Sequence, residues 1–377
     1  MRKLAHIEKI LNLEPIDGKD RILKAKVLGF DLLVGKDDFK LGDLVLYVEC
    51  DSILPPKPEF EFLRQRCWSE LYQGFRIKTL KFNKTLISTG IAFPVSILPE
   101  GKYKEGQDLT EQLSIRHYDP ESPLNSIDTE LSKKSFKNKV FKILFRFAIF
   151  RKILLPFIRN EKGNWPEFLS KTDEYNIKSE PYVLEKFKDK ICYVGEKLEG
   201  QSGSVFFKKT KVNLLKNSLF GVCSRNIWLK TEDNSNHWKL VRKYNLKEVL
   251  ANYYKKTGKE ICLQFECLGG NIQGNIYKLT DLELRVFNVI DITNNYYFDV
   301  HEMISFCKEN GLETVPILDA NFKLPATVDE LVKYASGFSA LKADELREGI
   351  VLRCIENGQK LLSCKAFNNE YLLKHGR

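Results

Sequence analysis

Residues 196–204 read EKLEGQSGS, and this short stretch decides how the rest of the chain is interpreted. The residues just before it, ICYVGEK (191–197), predict a β-strand that ends at Lys197, and the following glycines and serines predict a tight loop. A lysine there can act as a nucleophile only if its amine is partly neutral, which burial and neighbouring cations favour. Taken alone, a K-x-E-G string is common, and a surface ion pair is its simplest interpretation.

Working outward, five further residues with chemically useful side chains follow in order, each on or beside a predicted short strand. They are Arg225 in GVCSRN (221–226), Glu266 in QFECLG (264–269), Phe287 in LRVFNVID (284–291), Glu348 in EGIVLR (348–353) and Lys365 in LLSCKAF (361–367). Helical patterns fill the gaps, as in NHWKLVRKYNLKEVLANYYKK (236–256), so the chain from about residue 165 reads as mixed α and β.

The N-terminal part is rich in short strands with glycine turns between them. AKVLGFDLLVG (25–35), GDLVLYVE (42–49) and GFRIKTLKFNKTLISTGIAFPVSIL (74–98) carry this pattern. Several short strands at close spacing predict a small β-barrel, for which the OB-fold is one option. Four basic residues of the third stretch alternate with apolar ones and are candidates for nucleic-acid contacts, although a solvated strand face explains them equally well: Arg76, Lys78, Lys81 and Lys84.

A polar, proline-containing stretch at 117–135 predicts a linker, and a basic, aromatic segment at 133–159 follows it without a single acidic residue. Its apolar residues recur at helical spacing, which predicts one or two amphipathic helices. Three roles remain open for them: packing at the domain junction, facing a nucleic acid, or, for 141–157, lying on a membrane surface.

The composition sets the broad class of protein. The 377 residues include 60 Lys and Arg and 50 Asp and Glu, which gives a formal net charge of +10 at pH 7. Values of 43% hydrophobic and 29% charged residues exclude a largely disordered or collagen-like chain, and the length favours two domains. The basic excess favours a polyanionic partner such as a nucleic acid or a nucleotide.

The nine cysteines are scattered, with no C-x-x-C pair and no zinc-binding spacing. The start MRKLAHIEKI has charges where a signal peptide needs apolar residues, and no apolar run is long enough to span a bilayer. We therefore expect free thiols in a reducing intracellular compartment, either cytoplasm or nucleus with the mitochondrion left open, and no stable membrane association.

The ordered set of six motifs resembles the covalent nucleotidyltransferase superfamily of DNA ligases, RNA ligases and mRNA capping enzymes. The signature, K-x-[DE]-G, an Arg-bearing segment, F-x-E-x-x-G, an aromatic residue, E-G-[IV]-V and a final lysine, covers most of residues 190–366. The resemblance implies that Lys197 attacks the α-phosphate of ATP and that Lys365 neutralises it. It further implies Mg²⁺ or Mn²⁺ held largely through water by Glu199, Glu266 and Glu348. Further contacts are implied for Glu199 or Arg225 with ribose and the 3′-OH end, for Phe287 with adenine by stacking, and for Glu196 with the base edge.

Domain order narrows the resemblance. Capping enzymes and DNA ligases carry an OB domain after the final lysine motif, whereas here only AFNNEYLLKHGR (366–377) follows Lys365. With an OB-like segment first, and WPEFLSKTDEYNI (165–177) leading into the core, the chain resembles ATP-dependent RNA ligases of the Deinococcus type, RNA ligase family 5. Two details depart from the common pattern. Glu199 stands in the first motif where aspartate is usual, and the last motif has Lys365 alone where two lysines are common.

The resemblance implies an α+β protein with an N-terminal OB-fold β-barrel (1–115) that binds nucleic acid. A linker with the basic helical insertion (116–164) then leads to an ATP-grasp-like nucleotidyltransferase domain (165–377) with antiparallel sheets and flanking helices. The implied activity joins a 3′-OH end to a 5′-phosphate end of RNA at nicks in duplex, and we expect a monomer. A GTP-dependent capping-type transferase and a non-catalytic nucleic-acid-binding relative are the alternatives.

Overall fold

The structure, a computed structural model, describes residues 3–82, 86–118, 162–209 and 218–375. The chain divides into two compact units. The first comprises Met1–Leu155, Ile177–Pro181 and Leu372–Arg377, and the second Pro156–Asn176 and Tyr182–Tyr371. The basic segment 133–159 and Lys84 lie outside the described residues.

The first unit is built of short antiparallel strands. They are β1 (Ala5–Ile16), β2 (Lys19–Val27), β3 (Phe30–Gly35), β4 (Leu44–Val48), β5 (Ser52–Leu54), β6 (Trp68–Ser69), β7 (Gly74–Arg76), β8 (Leu80–Lys81), β9 (Ile87–Ser88), β10 (Ile91–Pro94) and β11 (Arg116–His117), with the helical turn α1 (Arg64–Cys67) and 3₁₀ turns at Pro58–Leu63 and Val95–Ile97. One sheet has the order β10-β4-β1-β2-β3, a second the order β11-β5-β7-β6, and β8 pairs with β9.

Both larger sheets of the first unit contribute to one apolar core. Ile7 and Leu46 come from the first sheet, Leu54 and Phe75 from the second, and all four are fully buried in the same cluster. Removing a side chain of this size from water stabilises the fold by about 1.5–3 kcal/mol. The predicted strand at 25–35 divides into two strands because Leu28 takes a left-handed turn conformation (φ 51°).

The second unit contains twelve strands among its described residues. They are β12 (Lys162–Gly163), β13 (Tyr175–Asn176), β14 (Ile191–Lys197), β15 (Gln201–Lys208), β16 (Leu219–Cys223), β17 (Trp228–Leu229), β18 (Ile261–Leu268), β19 (Glu283–Asp291), β20 (Tyr296–Tyr297), β21 (Ile317–Lys323), β22 (Gly349–Glu356) and β23 (Gln359–Phe367). A seven-stranded sheet has the order β12-β17-β16-β15-β18-β19-β20, and a five-stranded sheet has the order β13-β23-β22-β14-β21. The pair β13–β23 is parallel, and the other pairs of these two sheets are antiparallel.

The helices that follow are α2 (Val183–Lys186), α3 (Asn236–Lys243), α4 (Leu246–Thr257), α5 (Val300–Glu309), α6 (Val328–Ala335) and α7 (Asn369–His375). The helix predicted at 236–256 is two helices, because Asn245 between them has a left-handed backbone (φ 51°). Helices α3, α4 and α5 pack on the seven-stranded sheet through Leu240, Leu250 and Met303. No helix among the described residues is long and apolar enough to cross a membrane.

The opposite face of the seven-stranded sheet packs toward the five-stranded sheet. Phe206 and Cys262 form a buried cluster there with Ile355 of β22 against it, and Leu198 after β14 packs with Phe287 of β19. The predicted α+β class with antiparallel sheets and flanking helices is confirmed, and the motif-bearing strands β14, β18, β19, β22 and β23 meet in this unit.

Candidate active site

The side chains of Lys197 and Glu348 form an ion pair at the end of β14. The antiparallel register places Lys197 opposite Gly349, so Glu348, one residue before β22, falls beside the lysine. Nζ of Lys197 lies 2.6 Å from Oε2 of Glu348, and the side chains are only 21% and 14% exposed. Because water is largely excluded, the two charges interact more strongly than a surface pair would.

Lys365 joins this pair through a phenylalanine that the sequence analysis did not identify. On β23, Phe367 lies opposite Gly349, and Lys365 lies two residues earlier on the same face. The ring centroid of Phe367 is 5.4 Å from Nζ of Lys197 and 5.5 Å from Nζ of Lys365. The sequence did hold a signal for Phe367, because side chains two residues apart on a strand face the same side and Phe367 is two residues after Lys365. The ring therefore lies within cation–π distance of both lysines.

Gly200 brings the loop after Lys197 against Glu266. A Cβ atom on Gly200 would lie 2.6 Å from Cγ of Glu266 and would also overlap the backbone carbonyl of Cys267. Strand β15 pairs with β18 from this point, with Ser202 opposite Glu266. Glycine at this position is therefore a steric requirement for bringing the predicted nucleophile and the predicted metal-binding glutamate into one region.

Glu199 is 5% exposed, and its backbone N–H donates to Oη of Tyr277 at 2.8 Å. Burial and, to a smaller extent, the neighbouring charge of Glu348 raise the pKa of Glu199 to about 7, although the charge of Lys197 partly opposes them. A carboxyl group in this condition is partly protonated at neutral pH. A divalent cation beside Glu199 would favour its ionised form, because the positive charge of the cation attracts the carboxylate.

Glu196 projects from the opposite face of β14, since neighbouring residues of a strand alternate. Its side chain is 1% exposed, and Oε2 accepts a hydrogen bond from the backbone N–H of Ala340 at 2.8 Å. Burial raises the pKa of Glu196. The structure thus places this residue under the loop that leads to Glu348, while contact with the base edge stays a prediction.

Arg225 and Phe287 occupy different surroundings. Nε of Arg225 donates to Oδ1 of Asp173 at 2.8 Å, which connects the residue after β16 with the segment before β13. Phe287 is 7% exposed and packs with Leu198 and Leu268, close to the Lys197 loop. The predicted roles of both residues in nucleotide binding stay predictions.

The described basic residues predicted to bind nucleic acid lie in the first unit, but they do not share one continuous strand. Arg76 ends β7, Lys78 follows it outside any strand, and Lys81 belongs to β8. Arg76 pairs with Asp51 at 2.9 Å, and its guanidinium carbon lies 3.3 Å from the ring centroid of Tyr118. Lys78 and Lys81 are exposed, and the amine of Lys81 donates to the Leu373 carbonyl.

The carboxylates near Lys197 suit a hard divalent cation. Glu348 is close enough for its charge to disfavour ionisation of Glu199, and Glu266 lies under the same loop. Within the described residues, no three His, Cys, Asp or Glu side chains are grouped to bind a metal ion directly. Oxygen donors of this kind can hold Mg²⁺ or Mn²⁺ through its bound water. The donor set therefore fits a hydrated divalent cation.

Two family models match the chain. An OB-fold domain model matches residues 4–95, and the RNA ligase model matches residues 190–367. The match to the first unit, together with its antiparallel sheets and the similarity to solved RNA ligase structures, confirms the predicted OB-fold followed by a nucleotidyltransferase domain. No curated protein matches the sequence.

Solved structures of Naegleria gruberi RNA ligase resemble the whole chain. The form with PPi is 28% identical with a TM-score of 0.77, and the alignment covers 100% of this chain and 99% of that one. A mutant with ATP and Mn is 27% identical, with a TM-score of 0.77 and full coverage of both chains. A second mutant, with AMP and Mn, is 27% identical with a TM-score of 0.77, covering 100% of this chain and 99% of that one. Together with the family match, these similarities support an RNA ligase.

Proposed function

We propose that the protein is an ATP-dependent RNA ligase of the Deinococcus type, RNA ligase family 5, which seals a 3′-OH end to a 5′-phosphate end at nicks in duplex. The observation that carries this proposal is the pairing of Lys197 with Glu348 at 2.6 Å, beside Phe367 and Lys365. The match of residues 190–367 to the RNA ligase model supports the reaction class.

In the first step, the neutral amine of Lys197 attacks the α-phosphorus of ATP. A phosphorus–nitrogen bond forms, the bond to the bridging oxygen breaks, pyrophosphate leaves, and the amine loses a proton. The lysyl-AMP that results keeps the adenylyl group attached to the end of β14.

Charge neutralisation is the main catalytic requirement, because phosphoryl transfer builds negative charge on the oxygens around phosphorus. The amines of Lys365 and Lys197 both lie near the ring of Phe367, which supports the proposal that Lys365 neutralises the α-phosphate that Lys197 attacks. A hydrated Mg²⁺ or Mn²⁺ near Glu199, Glu266 and Glu348 would supply further positive charge. The Naegleria gruberi structures with ATP and Mn, and with AMP and Mn, support ATP and a divalent cation as cofactors.

In the second step, the AMP moves from Lys197 to the terminal 5′-phosphate, forming a pyrophosphate linkage and restoring the amine. In the third step, the 3′-OH attacks the activated 5′-phosphorus, a phosphodiester forms, and AMP leaves. Glu199 or Arg225 would contact the ribose and the 3′-OH end, and Phe287 would stack on adenine. Glu196, which accepts a hydrogen bond from the backbone N–H of Ala340, would read the base edge.

We assign these tasks to three parts of the chain. Residues 1–115 would grip the RNA-containing nicked duplex, residues 116–164 would form the linker, and residues 165–377 would carry out adenylylation and sealing. Exposed Lys78 and Lys81 are the described candidates for phosphate contact in the first part. The protein would act as a monomer in a reducing intracellular compartment.

The test of the nucleophile is covalent labelling with radioactive ATP in the presence of Mn²⁺ or Mg²⁺. Wild-type protein should take up AMP label, and Lys197→Ala should take up none while still binding nucleic acid. Lys190→Ala, which removes an exposed lysine near the start of β14, is the control and should label normally. Label on Lys197→Ala would contradict this choice of nucleophile.

The test of the substrate is sealing of labelled nicked duplexes with ribose or deoxyribose at the 3′ side of the nick. We expect the ribose end to be sealed faster. Label taken from GTP and not from ATP would contradict the ligase proposal and favour a capping-type transferase.

A further inference from the structure

Arg353 of β22 forms a buried ion pair with Glu174, in the segment just before β13. One terminal guanidinium nitrogen lies 3.0 Å from Oε1 of Glu174, and the two side chains are 3% and 11% exposed. Strand β13 runs beside β23, with Asn176 next to Lys365. The ion pair therefore connects the segment before β13 to the five-stranded sheet, which carries the two candidate catalytic lysines, Lys197 and Lys365.

The same guanidinium lies against Phe287. Its central carbon is 5.3 Å from the ring centroid, which is within the range of a cation–π contact. Tyr193 of β14, directly opposite Arg353 in the strand register, also contacts the guanidinium through its hydroxyl group. Arg353 thus touches the predicted adenine-stacking ring from a strand other than the ring's own strand, β19.

Stability alone is a poor reason for this arrangement. A buried ion pair seldom stabilises a fold more than apolar residues of the same volume would, because both charges lose their hydration. Nε of Arg353 is also buried, with no acceptor among the residues that the structure describes. A buried donor of this kind lowers stability. An arginine kept under these conditions points to a role in positioning a functional group.

We propose that Arg353 is a positioning residue that fixes the ring of Phe287 for binding the nucleobase, with Glu174 holding the guanidinium against the ring. The inference rests on the proposed function, since it presupposes that Phe287 stacks on adenine. Arg353 acts through the ring and not on the phosphates. Its loss should therefore weaken binding of the base while leaving binding of the triphosphate group unchanged.

The experiment compares the dissociation constants of ATP and of inorganic tripolyphosphate, measured by calorimetry with Mn²⁺ on the full chain. All variants carry Lys197→Ala, so that no lysyl-AMP forms during the titration. Replacing only one partner leaves the other as a buried, unpaired charge, which can unfold the protein. The variant used is therefore Arg353→Met combined with Glu174→Gln. Arg242→Met is the control, because Arg242 also pairs with a glutamate (Glu232, 2.6 Å) but is 44% exposed on α3.

Relative to the Lys197→Ala parent, we expect the double variant to bind ATP about tenfold more weakly and tripolyphosphate with a dissociation constant changed by less than twofold. Phe287→Leu should weaken ATP binding to a similar extent, and adding it to the double variant should cause little further loss, because both changes remove the same positioned ring. Arg353→Lys, which keeps the positive charge but not the planar guanidinium group, should retain part of the affinity for ATP.

Equal losses for ATP and tripolyphosphate, unchanged ATP affinity, or fully additive effects of the two changes would each overturn the inference. A wild-type protein that neither binds ATP nor takes up AMP label would instead overturn the proposed function on which the inference rests. The two failures are thus distinguished by the wild-type measurement.

Discussion

Lys197 and Glu348 come from strand ends that are 151 residues apart in sequence, and their side chains meet at 2.6 Å because β14 and β22 are paired in register. The contact holds the amine at a defined position on the sheet. An ammonium nitrogen has no lone pair, so the Lys197 side chain must lose a proton before its nitrogen can attack phosphorus. In the proposed function, Glu348 would orient the Lys197 amine before it attacks.

Replacing Glu348 with glutamine should slow AMP labelling of Lys197 by at least about tenfold. The amide keeps the volume of the side chain but loses the charge that orients the amine and attracts the cation. The measurement is the single-turnover rate of labelling with ATP and Mn²⁺.

The matched control is Glu356→Gln. Glu356 ends the same strand, β22, and pairs with Lys190 of the neighbouring loop at 2.7 Å, but both side chains are at least 40% exposed. This change should leave the labelling rate within twofold of wild type. Equal rates for Glu348→Gln and wild type would show that the 2.6 Å contact has no part in the reaction.

Gly200→Ala should reduce labelling strongly, because the new Cβ would lie 2.6 Å from Cγ of Glu266 and push the loop away from β18. Gly101→Ala is the control, since its Cβ would have no atom closer than 3.7 Å. Melting temperatures should be measured alongside the rate. A folded Gly200→Ala protein with normal labelling would refute the claim that this close approach is required.

The strands that carry the site were predictable because they are short, continuous apolar runs. The strand predicted at 191–197 is confirmed as β14, and those predicted at 284–291 and 349–355 agree with β19 and β22 within one residue at each end. Runs of this kind are buried on both faces, which gives a clear signal without long-range information. The order of the motifs then predicted the chemistry of the residues that these strands carry.

Other features depend on pairing that one sequence does not reveal. The twelve-residue β1 carries Glu8, Lys9 and Glu14 among its apolar residues, so its pattern alone did not predict a strand. The ring of Phe367 lies near both Lys197 and Lys365 only because β23 pairs in this register with β22. Likewise, the burial of Glu196 against Ala340 joins residues 144 positions apart.

Glu199→Gln should stabilise the protein at alkaline pH. The pKa of Glu199 is about 7 in the folded protein, against 4.5 for the ordinary side chain. The folded state therefore binds this proton more tightly than the unfolded state, and wild-type stability falls as pH rises from 4.5 to 7. This pKa shift lowers the free energy of unfolding of the wild type above pH 7 by about 3 kcal/mol, relative to its value below pH 4.5.

Urea unfolding at pH 4 and pH 8 tests this expectation. The variant should gain up to about 3 kcal/mol over wild type at pH 8 and almost nothing at pH 4. Mn²⁺ should reduce the difference at pH 8 if the ionised carboxylate helps to hold the cation. An equal difference at both pH values would mean that ionisation of Glu199 is not the cause.

Phe367→Leu should slow labelling by roughly three- to tenfold, because a cation–π contact contributes about 0.5–2 kcal/mol and this ring serves two lysines. Phe168→Leu removes a ring that lies 4.5 Å from Nζ of Lys208 and is the control for losing a cation–π contact in the same unit. The measurement is again the labelling rate at saturating ATP. If both variants label like wild type, the ring of Phe367 does not organise the two amines.

Lys78→Ala should weaken binding of a nicked RNA-containing duplex and lower the slope of log affinity against log salt by about 1, as expected for one lost phosphate contact. Lys81→Ala should have a smaller effect, since the amine already donates to the carbonyl of Leu373.

Arg76→Ala should chiefly lower the melting temperature, because its guanidinium is engaged by Asp51 and by the ring of Tyr118. Fluorescence anisotropy over a salt series measures binding by the three variants, and thermal unfolding measures their melting temperatures, with exposed Lys36→Ala as the control. An unchanged slope for Lys78→Ala would remove that residue from the nucleic-acid surface, whereas an altered slope for Lys36→Ala would place the surface elsewhere on the first unit.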